Sequence, residues 1–281
     1  MDVLSGRNIA LTGLPRGGTT LACQLLGGCI DTVGLFEPMD VMSLPVDRAA
    51  AIAQVASFFS SSRESLQASG RARSKQAHGR VPDNPFAAPD ADGRRRQIVE
   101  PGWIEVSPPR AGFALVVKHN AAFAALLPEL AQRFETVAIV RNPVAALGSW
   151  WSVDLPVSQG RAPAAERFDA SLRSRLDACT SPGRRQIALL DWFFSAFATL
   201  PPSRVIRYED IVASDGRALF DRVGRTPSTA RTLQSRNASR VYPLDRDSGT
   251  LDALVAYDGA WRRWYPQDAL ATLAARSGAP E

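Results

Sequence analysis

Residues 8–26, NIALTGLPRGGTTLACQLL, constrain this chain more than any other stretch. A short apolar run ends in Gly13, turns through Pro15-Arg16-Gly17-Gly18-Thr19-Thr20, and continues as an apolar-faced helix. A buried strand that turns through glycines into a helix points the first helical N–H groups at one spot, where the helix dipole favours an anion. The spacing nearly fits the phosphate-cradle pattern G-x-x-x-x-G-K-[ST]: the glycines fit and Thr20 takes the final hydroxyl position, but Thr19 stands where the lysine belongs. The N–H groups of Gly17, Gly18, Thr19 and Thr20 are candidate phosphate donors, and Arg16 can replace the missing charge.

Further apolar runs at 32–36, 113–118, 136–140 and 204–208 read as strands. Between and after them, helices are expected over 47–68, 121–134 (with Pro128 a possible break), from about 143 to 151, 160–179, 184–200, 215–223, 251–264 and 266–275. Alternating strands and helices imply an α/β, P-loop-like three-layer fold, with a parallel sheet of four to five strands and helices on both faces. Ligands in such folds bind at the carboxyl ends of the strands. The strand-end residues are Gly13, Glu37, Lys118, Arg141 and Tyr208, four of them polar or charged after apolar runs. From 70 to 110 the periodicity disappears into glycine, proline and charge, as expected of a mobile loop or lid holding one short helix or strand. The expectation is a single domain over 1–281, with a helical C-terminal part at 212–281.

The formal net charge of +5 is carried by arginine, because Lys75 and Lys118 are the only lysines. A basic chain suits anionic ligands. Cys23, Cys29 and Cys179 show neither metal spacing nor a disulfide framework, which fits a reducing compartment. No basic start leads into a signal-like core, and no uncharged stretch reaches membrane-spanning length, so a cytoplasmic location is expected.

The missing lysine has a companion. A nucleoside-triphosphate enzyme ordinarily ends an apolar strand in Asp to hold Mg²⁺; here TVAIV ends in Arg141. With these residues in view, the chain resembles the sulfotransferases that use 3'-phosphoadenosine-5'-phosphosulfate (PAPS). LTGLPRGGTT resembles their 5'-phosphosulfate loop, with Gly17 in place of the usual serine. VAIVRNPVAALGSW resembles their 3'-phosphate motif, with Arg141 and, eight positions on, Ser149. VIRYEDIV resembles a late strand that brings Tyr208 near the nucleotide, and Leu35-Phe36-Glu37-Pro38 resembles the L-F-E-P of the carbohydrate and bacterial type more than the Lys-x-His of the soluble small-molecule type.

The resemblance implies a PAPS-dependent enzyme that needs no metal and sulfurylates a hydroxyl of a glycan, lipid or small natural product. Glu37 is the implied base and His119 its rival. Lys118 and Arg16 would neutralise the reacting group. Arg141 and Ser149, with Tyr208 near the nucleotide, would hold the 3'-phosphate, aided by Arg236, Ser239 or Arg240. Phe58-Phe59 and the 70–110 segment are candidates for acceptor recognition, and Trp150-Trp151 either cover a ligand or fill the core. Two alternatives stand beside this reading. One is a P-loop-type kinase. The other is a nucleic-acid-binding protein using Arg71, Arg73, Lys75, Arg80 and the run 94–96, although aromatics are not interleaved with those charges in the sequence.

Overall fold

Apolar runs with both faces buried become the strands of one sheet. In the computed structural model, which describes residues 6–90, 94–237, 242 and 247–276, the chain begins with β1 (Asn8–Gly13), α1 (Thr19–Gly27), β2 (Thr32–Phe36) and α2 (Arg48–Ser69). It continues through β3 (Arg71–Gln76), β4 (Glu100–Glu105), β5 (Ala114–Lys118), α3 (Ala121–Ala125), α4 (Leu127–Arg133), β6 (Glu135–Val140) and α5 (Pro143–Trp151). Then come α6 (Pro163–Glu166), α7 (Ala170–Asp177), α8 (Pro182–Phe197), β7 (Val205–Arg207), α9 (Tyr208–Ala213), α10 (Arg217–Val223), α11 (Ser248–Ala256) and α12 (Gln267–Arg276).

Five strands form a sheet in the order β2-β5-β1-β6-β7, every pair parallel. Side chains alternate across it. Ile9 and Leu11 of β1 pack with Ala22 and Leu26 of α1, whereas Ala10 packs on the opposite face with Val55 and Phe59 of α2. Both faces are therefore covered, and the fold is the expected three-layer α/β arrangement. β1 lies centrally between β5 and β6, so the connections leaving its carboxyl end and theirs diverge and open a crevice.

The local differences from the sequence reading have physical causes. The helix over 121–134 is broken at Leu126, because Pro128 at the start of α4 cannot donate to the preceding turn. The stretch 160–179 divides into α6 and α7, and 251–264 into α11 and a 3-10 turn at Ala260–Arg263. Tyr208 opens α9 rather than closing β7. The largest change lies within 70–110, where β3 and β4 pair as an antiparallel ribbon. Its alternation was hidden because the inward residues of β3 are Ala72 and Ser74, too small and polar to signal a strand. Ser74 joins this ribbon to the sheet: its hydroxyl oxygen accepts the Phe36 N–H at 3.0 Å.

Candidate active site

At the carboxyl ends of β1, β2, β5 and β6 lies a cleft of about 1020 Å³. Its floor is the glycine turn. Gly13 has φ +147°, and a Cβ there would meet the Ile139 carbonyl at 2.2 Å. Gly18 has φ +87°, and a Cβ would strike the Tyr208 ring at 2.5 Å. Each position therefore requires glycine twice over, for backbone angle and for space. No side chain caps α1, so its first-turn N–H groups are left to a ligand. Gly18, Thr19 and Thr20 line the cleft. Gly17 does not: its N–H is spent on the Leu14 carbonyl at 2.9 Å, closing the turn.

Above the turn four guanidinium groups gather. Burial pushes the Arg16 pKa well below its ordinary value; Tyr242 opposes this, and the charges of Arg95, Arg141 and Arg236 add to it. Arg16 donates from Nε to Ser149 Oγ at 3.1 Å, and its guanidinium stacks 4.0 Å from the Phe86 ring centre. Arg95 donates from Nε to the Ala87 carbonyl at 2.9 Å. Among the described residues neither these two nor Arg236 forms an ion pair, and their terminal N–H groups meet no protein acceptor.

Arg141 is different. Its guanidinium donates to Asn237 Oδ1 (2.8 Å), the Arg16 carbonyl (3.0 Å), the Arg236 carbonyl (2.7 Å) and the Tyr242 hydroxyl (3.1 Å). It also lies over the Tyr208 ring at 4.7 Å. Arg141 thus pins the glycine turn to the segment carrying Arg236, with little donor capacity left over. Tyr208 helps: its hydroxyl accepts the Arg236 N–H at 3.1 Å. Ser149 is wholly buried beneath this cluster, bonded to Arg16 and Tyr242 rather than lining the cleft. Ser239 and Arg240 lie outside the described residues.

About the end of β2, Glu37 sits with φ +41°, a left-handed angle costly for a non-glycine residue and of a kind concentrated at functional sites. Its two carboxylate oxygens are divided between the only two lysines of the chain: Lys118 Nζ donates to Oε1 and Lys75 Nζ to Oε2, both at 2.7 Å. Burial would raise the Glu37 pKa, but Lys118, Lys75 and His119 outweigh it and hold the carboxyl far below its usual range. Lys118, only 2 % exposed, has its pKa lowered by burial against the pull of Glu37. Burial pushes His119 down to about 3, with Glu37 opposing and Lys118 and Lys75 assisting. The imidazole is neutral at physiological pH, and its Nε2 accepts the Met39 N–H at 3.4 Å. The nearby Cys23 thiol is pushed up to about 12 by burial, which leaves no thiolate there.

Lys75, Arg95, Phe86 and Tyr242 were not read from the sequence as parts of this site. Only the scarcity of lysine marked Lys75. Phe59 and Trp150 are core residues; Trp150 nevertheless supports the cradle by donating from Nε1 to the Pro15 carbonyl at 2.8 Å. The basic stretch 71–96 does not form one face. Lys75 turns to Glu37, Arg95 to Arg16, and Arg96 to Asp90 at 3.7 Å. Arg71 stays outside on the ribbon and Arg73 reaches the cleft rim, 5.3 and 5.7 Å from the Trp103 ring, an aromatic supplied across the strand pair rather than along the sequence. Among the described residues no three His, Cys, Asp or Glu side chains come together as a metal-binding group, and no helix is long and apolar enough to cross a membrane.

No protein-family model and no curated protein matches the chain. Among solved structures it is similar to the sulfotransferase STF1 of Mycobacterium tuberculosis H37Rv, at 14% identity and TM-score 0.35, covering 99% of this chain and 78% of that one. It is similar also to the sulfotransferase domain of the curacin biosynthetic pathway (16%, TM-score 0.37, covering 98% of each chain). A third similarity is to the sulfotransferase domain of the Synechococcus PCC 7002 olefin synthase (13%, TM-score 0.38, covering 100% of this chain and 98% of that one).

Proposed function

We propose that this protein transfers a sulfuryl group from PAPS to an acceptor hydroxyl, with Glu37 as the base. One observation carries the reading: a single cleft holds three guanidinium ends that have no anionic partner among the described residues and, beside them, a carboxylate held by two ammonium groups. Such a surplus of clustered cations, with Arg95 buried, Arg16 half-buried and Arg236 exposed at the mouth, favours a bound anion. A glycine turn with uncapped N–H groups and a separate arginine cluster fit a nucleotide that carries anions at two places. Arg141 at the end of β6 stands where a metal-dependent phosphotransferase needs an acid, and its charge repels a cation, which counts against the kinase reading.

When bound, PAPS supplies an activated sulfuryl group, whose bond to the phosphate oxygen breaks as the acceptor oxygen bonds to sulfur. The N–H groups of Gly18, Thr19 and Thr20, with Arg16, hold the 5' side. Arg236 and Arg95 would hold the second phosphate, with Arg141, Ser149 and Tyr208 keeping those groups in register. Lys118 stabilises the charge left on the phosphate oxygen. Glu37 takes the acceptor proton.

Two ammonium partners make a carboxylate a weak base. When Lys118 turns to the reacting phosphate, Lys75 alone remains on Glu37, and the carboxylate regains proton affinity. His119 is the poorer candidate, because Nε2 already accepts from Met39 and two lysines disfavour its protonation. It orients the segment after Glu37 instead.

The test pairs calorimetric binding of adenosine 3',5'-bisphosphate with labelled-PAPS transfer to glycan, lipid, tyrosine-peptide and small-alcohol acceptors. E37Q should bind the bisphosphate as the parent does and lose transfer by at least about a hundredfold. Absent bisphosphate binding, or near-normal turnover in E37Q, would refute the assignment.

A further inference from the structure

Beyond Glu37 the cleft changes character. One wall is the segment that follows β2, where Met39, Val41 and Met42 line it; the other follows α5 and presents Leu155, Val157 and Ala162. Arg167 ties the two segments together by donating to the Leu44 carbonyl at 2.7 Å.

The charged side chains of these two walls are engaged locally, Asp40 staying exposed, and beside them Asn120 keeps a buried Oδ1 without a partner among the described residues. Arg161 pairs with Glu166 at 3.0 Å and with Asp177. Asp40 closes its own turn, Oδ1 accepting the Met42 N–H at 3.1 Å and its carbonyl the Ser43 hydroxyl at 2.8 Å. That turn holds Met42 outward, 46% exposed, although it lines the cleft and is no part of the core.

A saccharide presents a hydroxyl on nearly every carbon, and each one buried without a partner is costly. The six side chains Met39, Val41, Met42, Leu155, Val157 and Ala162 offer it only hydrocarbon and thioether. Of the three methionines in the chain, two are placed here. Methionine is the side chain that adapts best to an irregular apolar guest.

We infer that this half of the cleft binds an alcohol with an apolar body, an alkyl or alicyclic carbinol, whose hydroxyl reaches Glu37 while its hydrocarbon lies between Met39–Met42 and Leu155–Ala162. The inference rests on the reading of Glu37 as the base of a sulfuryl transfer. It narrows the acceptor from any hydroxyl compound to one class and turns away from glycans.

The experiment titrates the full chain, with and without adenosine 3',5'-bisphosphate, with linear primary alcohols from butanol to decanol and with maltose, reading tryptophan fluorescence and calorimetry. Affinity should tighten about fourfold per added methylene until the apolar walls are covered. M42D should weaken the longest bound alcohol at least tenfold while leaving the bisphosphate affinity unchanged, and M42L should bind like the parent. Affinity independent of chain length, an M42D variant that binds normally, or saturable binding of maltose would overturn the inference. Loss of bisphosphate binding with the chain-length trend intact would defeat only the proposed cofactor. Bisphosphate binding with flat alcohol affinities would defeat only the acceptor class.

Discussion

Glu37 is unusual in having its charge balanced twice, once from the sheet by Lys118 and once from the ribbon by Lys75. Removing Lys75 takes away one positive neighbour, so the Glu37 pKa must rise. In K75M the acid limb of kcat/KM should therefore move to higher pH, with kcat reduced and bisphosphate affinity unaltered. A profile superimposable on the parent's would dismiss Lys75 as a positioning residue. His119 gives a stability signature of its own. Its folded pKa is depressed from 6.5 to about 3, so below pH 6.5 the unfolded chain takes up a proton that the folded one refuses. The stability this confers is complete above pH 6.5 and lost progressively as pH falls toward 3. At pH 4.5 the loss is about 2 to 3 kcal/mol relative to neutral pH. H119Q, which keeps an acceptor for the Met39 N–H but cannot titrate, should lose correspondingly less, as read by denaturant midpoints at the two pH values. Glu37, Lys118 and Arg141 were legible in the sequence because each ends an apolar run. Lys75, Arg95 and Tyr242 were not, since they reach the site from segments whose pairing is long-range.

At the scale of elements, the sheet was legible because period-two burial on both faces leaves a continuous apolar run. The ribbon was not, because its alternation sets arginine against alanine and serine instead of polar against large apolar residues. Its placement matters: Ser74 locks β3 to the end of β2 one residue away from Lys75, so the ribbon's register fixes the second partner of Glu37. The junction of β1 and α1 is equally demanding. G18A forces a left-handed φ on alanine and drives its Cβ into Tyr208, whose hydroxyl helps to hold Arg236. It should cost about 1 to 3 kcal/mol of stability and weaken bisphosphate binding by at least about tenfold. Thermal melts and calorimetry on the same preparation would check both, and a variant with parental values for each would contradict the packing described here.

For the molecule as a whole, the cluster of arginines sets like charges together, and a bound anion would relieve their repulsion. A bound bisphosphate should therefore raise stability by about 2.7 kcal/mol at a hundred times its Kd, a rise in Tm on the order of 5 °C. The shift should persist in EDTA and shrink with added salt; a shift that vanishes on chelation would point back to a metal-dependent nucleotide. The scarcity of lysine carries a further practical consequence. Because both ε-amines of the chain grip one carboxylate, reductive methylation with ¹³C-formaldehyde would place every side-chain label inside the cleft. Two resonances besides the α-amine would then report which ammonium leaves Glu37 as a ligand arrives, so the protein comes with its own spectroscopic reporter.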